Sequence, residues 1–215
     1  MARKPADQSV NREDILLAAA DVLSTNGYDS TTMKDIAAKV NLTAASLYHH
    51  FKNKDTLLLA VLESGLEQVY DLIEPIYDSD MPYTEKLEKM IKAHVNSVTR
   101  MPSVGAAMVF EIRSLMSFKA QARNGLPDEA QAEFIQRRDH FFELRDKFEM
   151  LFRYTVRAGI QAGEFRECDP AIFAKMMLGA HNWIGVWYKD GGRLTGNVVA
   201  DMMAENFLAS LRKEP

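Results

Sequence analysis

Apolar residues recur at helical spacing along almost the whole chain, and alternating strand-like runs are absent. Ile15, Ala19, Val22 and Leu23 share one face of a segment from Arg12 to Ser24, which Asn26-Gly27 stops. A Thr32–Asp35 capping pattern opens a second helix, with Met33, Ile36, Ala37 and Val40 on its apolar face. Val40-Asn41-Leu42 reads as a turn, and Thr43 starts a third helix that runs to Phe51. Neither short helix can stand alone, so both must pack on the first. Asn53 caps a fourth helix from Lys54 to about Tyr77. Five more follow: Tyr83 to Met101, Val104 to Phe118, about Pro127 to Gly159 or Ala162, Pro170 to Lys189, and about Thr195 to Leu211. Gly125 and Pro127 mark the loop before the long seventh segment. The pattern predicts an all-α fold of about nine helices. A small three-helix unit over 1–55 precedes a larger helical body over 56–215.

Residues 32–54 have the parts of a helix-turn-helix. Thr43 caps the recognition helix and offers a hydroxyl. Ala44, Ala45 and Ser46 keep its leading face slim enough for a major groove, while Leu47 and Phe51 face the core. Tyr48, His49 and His50 lie toward the groove edge, where hydroxyl and imidazole can donate to phosphate. Lys52 and Lys54 stand at the start of the next helix, whose dipole adds to their charge. Lys34, Thr43 and His49 are the candidates for polar base contacts, and Ala44 or Ala45 for thymine methyls. Arg3 and Lys4 read equally as an arm along the backbone or as a solvated terminus. Adjacent His49 and His50 point about 100° apart on a helix and cannot share one metal ion well, so no metal site is expected.

Charge sharpens this picture. The chain carries −4 overall, yet residues 32–54 hold four lysines against one acid, or +3, leaving −7 for the rest. A local basic patch on an acidic body suits a DNA reader. The stretch Thr31-Thr32-Met33-Lys34-Asp35-Ile36-Ala37, followed by Leu47-Tyr48-His49-His50-Phe51-Lys52-Asn53-Lys54, resembles the signature of the TetR family of repressors. The resemblance covers roughly the first 60 residues and departs at His49, where the family often has Tyr. It implies an all-helical homodimer. It also implies phosphate contacts at Thr32, Thr43, Tyr48, His50 and Lys54, with Ala44 and Ala45 near bases.

The C-terminal half is rich in aromatic residues. Phe110, Glu111, Arg113, Phe148, Phe152, Asn182, Trp183 and Trp187 are the candidate lining of a small-molecule pocket. Core packing or a dimer seam is the competing reading for each aromatic. His94, on an apolar face, reads first as a core histidine and second as pocket lining. Arg113, Arg153 and Arg157 read either as partners of a phosphate-bearing ligand or as solvated charges. The eighth helix has two apolar stripes: Phe173, Met177, Ala180, Ile184 and Trp187, and Met176, Gly179, Trp183 and Val186. The ninth carries Val198, Val199, Met202, Met203, Phe207, Leu208 and Leu211. Two stripes require two partners, and in the family the last two helices pair with their copies. The segment Asn182-Trp183 … Trp187-Tyr188 … Gly191-Gly192-Arg193-Leu194 resembles a TetR subgroup that often senses acyl-coenzyme A thioesters.

The expected activity is that of a cytoplasmic repressor that holds a palindromic operator in double-stranded DNA. A hydrophobic or acyl-thioester effector would wedge among helices four to eight, move helix four and release it. No cofactor is expected. An enzyme and a helical adaptor are the competing classes. The chain has no H-E-x-x-H, phosphate-cradling glycine loop or G-x-S-x-G motif. It has no secretory leader pattern and no apolar run of membrane-spanning length, and its one cysteine, Cys168, can form no internal disulfide.

Overall fold

The computed structural model describes residues 11–117 and 129–213. Those residues form ten helices and no strand: α1 (Arg12–Asn26), α2 (Met33–Lys39), α3 (Ala44–His50), α4 (Lys54–Tyr77), α5 (Tyr83–Arg100), α6 (Pro102–Phe110), α7 (Ile112–Ser117), α8 (Glu129–Gln161), α9 (Pro170–Trp187) and α10 (Gly196–Leu211). The all-α class is as expected. The expected Val104–Phe118 helix is two helices, because the backbone turns at Glu111 and starts again at Ile112. Arg3, Lys4, Phe118, Gly125 and Pro127 lie outside the described residues. No described helix is long and apolar enough to cross a membrane.

The helix ends follow local chemistry. The Asn11 side chain accepts from Asp14 N at 2.7 Å to open α1, and Gly27, at φ 76°, closes it. Pro102 occupies the first turn of α6, where its missing N–H is no loss. Asp169 accepts from Ala171 N and Ile172 N at 2.8 and 3.1 Å before Pro170 enters α9.

Two cores form. The head core takes Ile15, Leu16, Ala19 and Ala20 from α1, Met33 and Ile36 from α2, and Leu47 and Phe51 from α3 and its end. It also takes Leu57, Ala60 and Val61 from α4. Alternate residues of the same α4 turns, Leu58, Leu59 and Leu62, enter the body core. Helix α4 therefore serves both units at once. In the body, α10 covers α5, and α6 packs against both α9 and α1. The α6–α9 crossing is very close: a Cβ added at Gly185 would lie 2.9 Å from Gly105 Cα.

Candidate DNA-reading head and interior cavity

In α2, Thr32 and Asp35 exchange cap bonds: Asp35 N donates to Thr32 Oγ1 at 3.3 Å, and Thr32 N donates to Asp35 Oδ2 at 2.9 Å. The Thr32 hydroxyl also donates to Asp35 Oδ2 at 2.6 Å, which holds the Asp35 carboxyl below its ordinary pKa. Asn41, at φ 56°, makes the turn, and Leu42 N donates to Ala37 O at 2.9 Å. Thr43 caps α3 by accepting from Ser46 N at 3.0 Å.

With Leu47 fully buried, α3 is fixed by its inner side. Thr43, Ala45, Tyr48, His49 and His50 stand exposed on the outside, with Ala44 half-buried. Tyr48 is 52% exposed, a large ring with no core to fill. Thr32, Lys34 and Lys52 are exposed on the flanks. Lys52 lies 3.7 Å from Glu133 of α8, a solvated pair that phosphate can displace.

Lys54, expected to meet phosphate, also has partners within the fold. Its Nζ donates to Tyr28 O at 2.6 Å and Thr31 O at 2.8 Å and lies 4.1 Å from the Tyr28 ring centre. Two of its three donors thus tie the α1–α2 loop to α4. Arg12, not singled out from the sequence, stacks over Phe51 at 5.5 Å and adds a cation beside His50 and Lys52.

A partly open cavity lies between α4, α5, α6, α8 and α9. Leu66, Val69, Val98, Met101, Val104 and Met108 make it mainly apolar. His94, Ser97, Asn182 and Arg145 supply the polar groups. Of the expected lining, Phe148 and Asn182 are there. Phe152 is fully buried behind Phe148, with ring centres 5.3 Å apart. Phe110 and Trp183 pair edge-on at 6.2 Å on the outside, 49% and 52% exposed. Trp187, also among the expected lining, is 48% exposed. Arg113 is exposed and away from the cavity wall. One signal in the sequence pointed to this cavity: Gly65 and Gly105 sit inside helices, where glycine is unfavourable unless a neighbour comes close. A Cβ on Gly65 would lie 2.5 Å from Val104 Cγ1.

Glu111 has a different task. Buried at the α6–α7 break, it accepts from Tyr28 N at 3.1 Å, and burial raises its pKa. Ser103 of α6 donates to Asp21 of α1 at 3.0 Å. Val104 both lines the cavity and packs on the head core. The cavity wall and the head thus meet along α6 and α1.

His94 and His181 form a buried pair, Nδ1 to Nδ1 at 3.2 Å. Burial lowers the His94 pKa from 6.5 to about 4 and pushes His181 well down too. As pH falls through 6.5, the unfolded chain takes up protons that the folded chain refuses until about 4. The pair's contribution to stability is therefore complete above pH 6.5 and is lost toward pH 4. Thermal unfolding between about pH 7.5 and pH 5 is expected to show a falling midpoint. A His181→Phe variant should show a shallower slope, and an equal slope would count against the pair as its source.

On the outer side of α9, Ile172, Met176, Gly179, Trp183 and Trp187 are exposed in one stripe. On α10, Val198 and Met202 are 41% and 47% exposed. The chain leaves this apolar face uncovered.

Two family descriptions match. Residues 15–61 match "Bacterial regulatory proteins, tetR family" and residues 80–211 match "Tetracyclin repressor-like, C-terminal domain". The HTH-type transcriptional repressor KstR2 of Rhodococcus jostii (strain RHA1) is 26% identical over 205 residues, covering 93% of this chain and 92% of its own. The structure of the TetR family regulator PfmR from Thermus thermophilus superposes with a TM-score of 0.75 at 26% identity, covering 94% of this chain and all of that one. AibR in complex with isovaleryl coenzyme A and operator DNA superposes with a TM-score of 0.67 at 26% identity, covering 93% and 97%.

Proposed function

The chain belongs to the TetR family of bacterial regulatory proteins, and from that premise we propose how its residues carry out ligand-responsive repression. It is a DNA-binding transcriptional regulator and not an enzyme. The head, residues 1–55, grips operator DNA. Thr32, Thr43, Tyr48, His50 and Lys52 meet phosphates, and Lys34, Ala44, Ala45 and His49 approach base edges. Lys54 acts mainly as a strut. The body, residues 56–215, senses the effector and dimerises through α9 and α10, in the bacterial cytoplasm where the operator lies. A symmetric dimer places two α3 helices on the two halves of a palindrome.

The effector occupies the α4–α5–α6–α8–α9 cavity. Its walls suit an acyl chain or another compact apolar body, and Arg145 at the rim suits an anionic portion such as that of a coenzyme A thioester. AibR, bound to isovaleryl coenzyme A, supports this class of ligand. The observation that carries the reading is continuity: Val104 touches the cavity on one side and the head core on the other. Occupancy shifts α6 against α1 and thereby re-spaces the two heads. It does so only to the extent that the effector prefers the released spacing.

The test is fluorescence anisotropy on a fragment of the protein's own promoter, with rising salt and then with decanoyl-coenzyme A. Affinity is expected to drop roughly a thousandfold between about 50 and 200 mM salt. The thioester is expected to release the DNA at fixed salt. A protein that ignores the fragment even in dilute buffer would be no repressor of that promoter, and DNA binding that no acyl thioester weakens would remove the effector assignment.

A further inference from the structure

We propose that His94 reads one neutral oxygen, a carbonyl or a hydroxyl, on an otherwise apolar effector, with His181 behind it as the positioning residue. The inference rests on the cavity being the effector site.

His94 lines the cavity yet is only 4% exposed. Its ring stands edge-on to Phe148, with centres 5.1 Å apart and planes at 82°. A neutral imidazole has one N–H and one bare nitrogen. In the Nδ1–Nδ1 contact one ring donates and the other accepts, so the proton on one ring sets the proton on the other. His181 Nε2 is sealed in without a partner among the described residues. Its ring is held edge-on to Phe207 at 5.5 Å. His94 Nε2 is left as the open end of the pair, on the ring that faces the cavity.

The pair therefore offers two matched states. When His181 donates through Nδ1, His94 carries its proton on Nε2 and donates to a carbonyl. When His94 donates through Nδ1, its Nε2 is bare and accepts from a hydroxyl. Neither state is charged, since burial keeps both rings neutral. Among the described residues that line the cavity, the cation is Arg145. Arg145 is exposed at the rim, so charge on the effector belongs there. Ser97 and Asn182 also line the cavity, but both are half-buried. His94 is the deep polar group with a partner that fixes its proton.

Acetophenone and ethylbenzene differ by one carbonyl oxygen and make a direct probe pair for the full-length protein. Binding would be measured by calorimetry on the parent chain and on His94→Phe, His94→Gln and His181→Phe. The imidazole nitrogens would be followed by 15N-histidine NMR on the parent chain. His94→Phe is expected to weaken acetophenone roughly threefold to tenfold and to leave ethylbenzene unchanged. His94→Gln, which keeps an N–H donor, is expected to recover part of the loss. His181→Phe should weaken the ketone without removing a cavity-lining group. In the parent chain only the ketone should move His94 Nε2. Equal treatment of both probes by all variants, or no response of His94 Nε2 to acetophenone, would overturn the proposal even if a variant folds poorly. A ketone-specific response together with DNA that no effector releases would keep this proposal and remove the release mechanism instead.

Discussion

The Ala45→Glu variant is expected to fold and dimerise like the parent chain and to lose operator affinity by roughly a hundredfold or more. Ala45 is exposed on the leading face of α3, two residues after the Thr43 cap. A carboxylate there lies in the first helical turn, where the helix dipole favours it, so the head should be no less stable. Against DNA the same carboxylate meets the phosphates at close range and fills space that a methyl leaves open. Like charges brought together at an interface cost several kcal/mol, or about two decades of affinity. Anisotropy at low salt would measure the loss, and thermal unfolding would confirm that the fold is kept. Tyr48→Ala removes one exposed ring and hydroxyl and should cost less, about tenfold. If Ala45→Glu binds the operator like the parent, α3 is not the element in the groove.

The second large effect lies at the other end of the molecule. Trp183→Glu is expected to turn a dimer into a monomer. Trp183 is 52% exposed in the protomer, in line with Ile172, Met176 and Trp187, so its loss removes little from the protomer's own core. In a two-fold seam the change occurs twice, and each copy leaves an unpaired carboxylate in an apolar contact. A penalty of about 3 kcal/mol or more corresponds to at least roughly a hundredfold in the dimer constant. Sedimentation at micromolar concentration would show it. Operator affinity should collapse as well, since one head grips only half a palindrome. A stable Trp183→Glu dimer would move the seam to another face.

These two variants act at opposite ends, and α6 lies between them. The sequence suggested that an effector would act by moving helix four. The geometry adds a second route. Glu111 holds the α1–α2 loop through Tyr28 N, Ser103 holds Asp21, and Val104 belongs to both the cavity wall and the head surface. Helix α4 still participates, because adjacent residues of one turn enter both cores.

What the sequence determined by itself is the local architecture of the head. The caps at Thr32, Thr43 and Asn53, the stop at Gly27 and the inward set Met33, Ile36, Ala37 and Leu47 are decided within a few residues, and the structure keeps each of them. The apolar periodicity likewise determined an all-helical body and a doubly apolar α9. Only the tertiary structure decided which stripe faces where. Trp183 and Trp187 read as well for a pocket as for a surface, since hydrophobicity has no direction until neighbouring helices take one side. The same holds for charge. Lys54 looks like a phosphate contact until two carbonyls of a distant loop are seen to hold it, and Glu111 looks like pocket lining until Tyr28 meets it. The cavity itself arises where five helices fail to close: the mid-helix glycines Gly65 and Gly105 hint at a close approach there, but the gap is made by residues far apart in sequence.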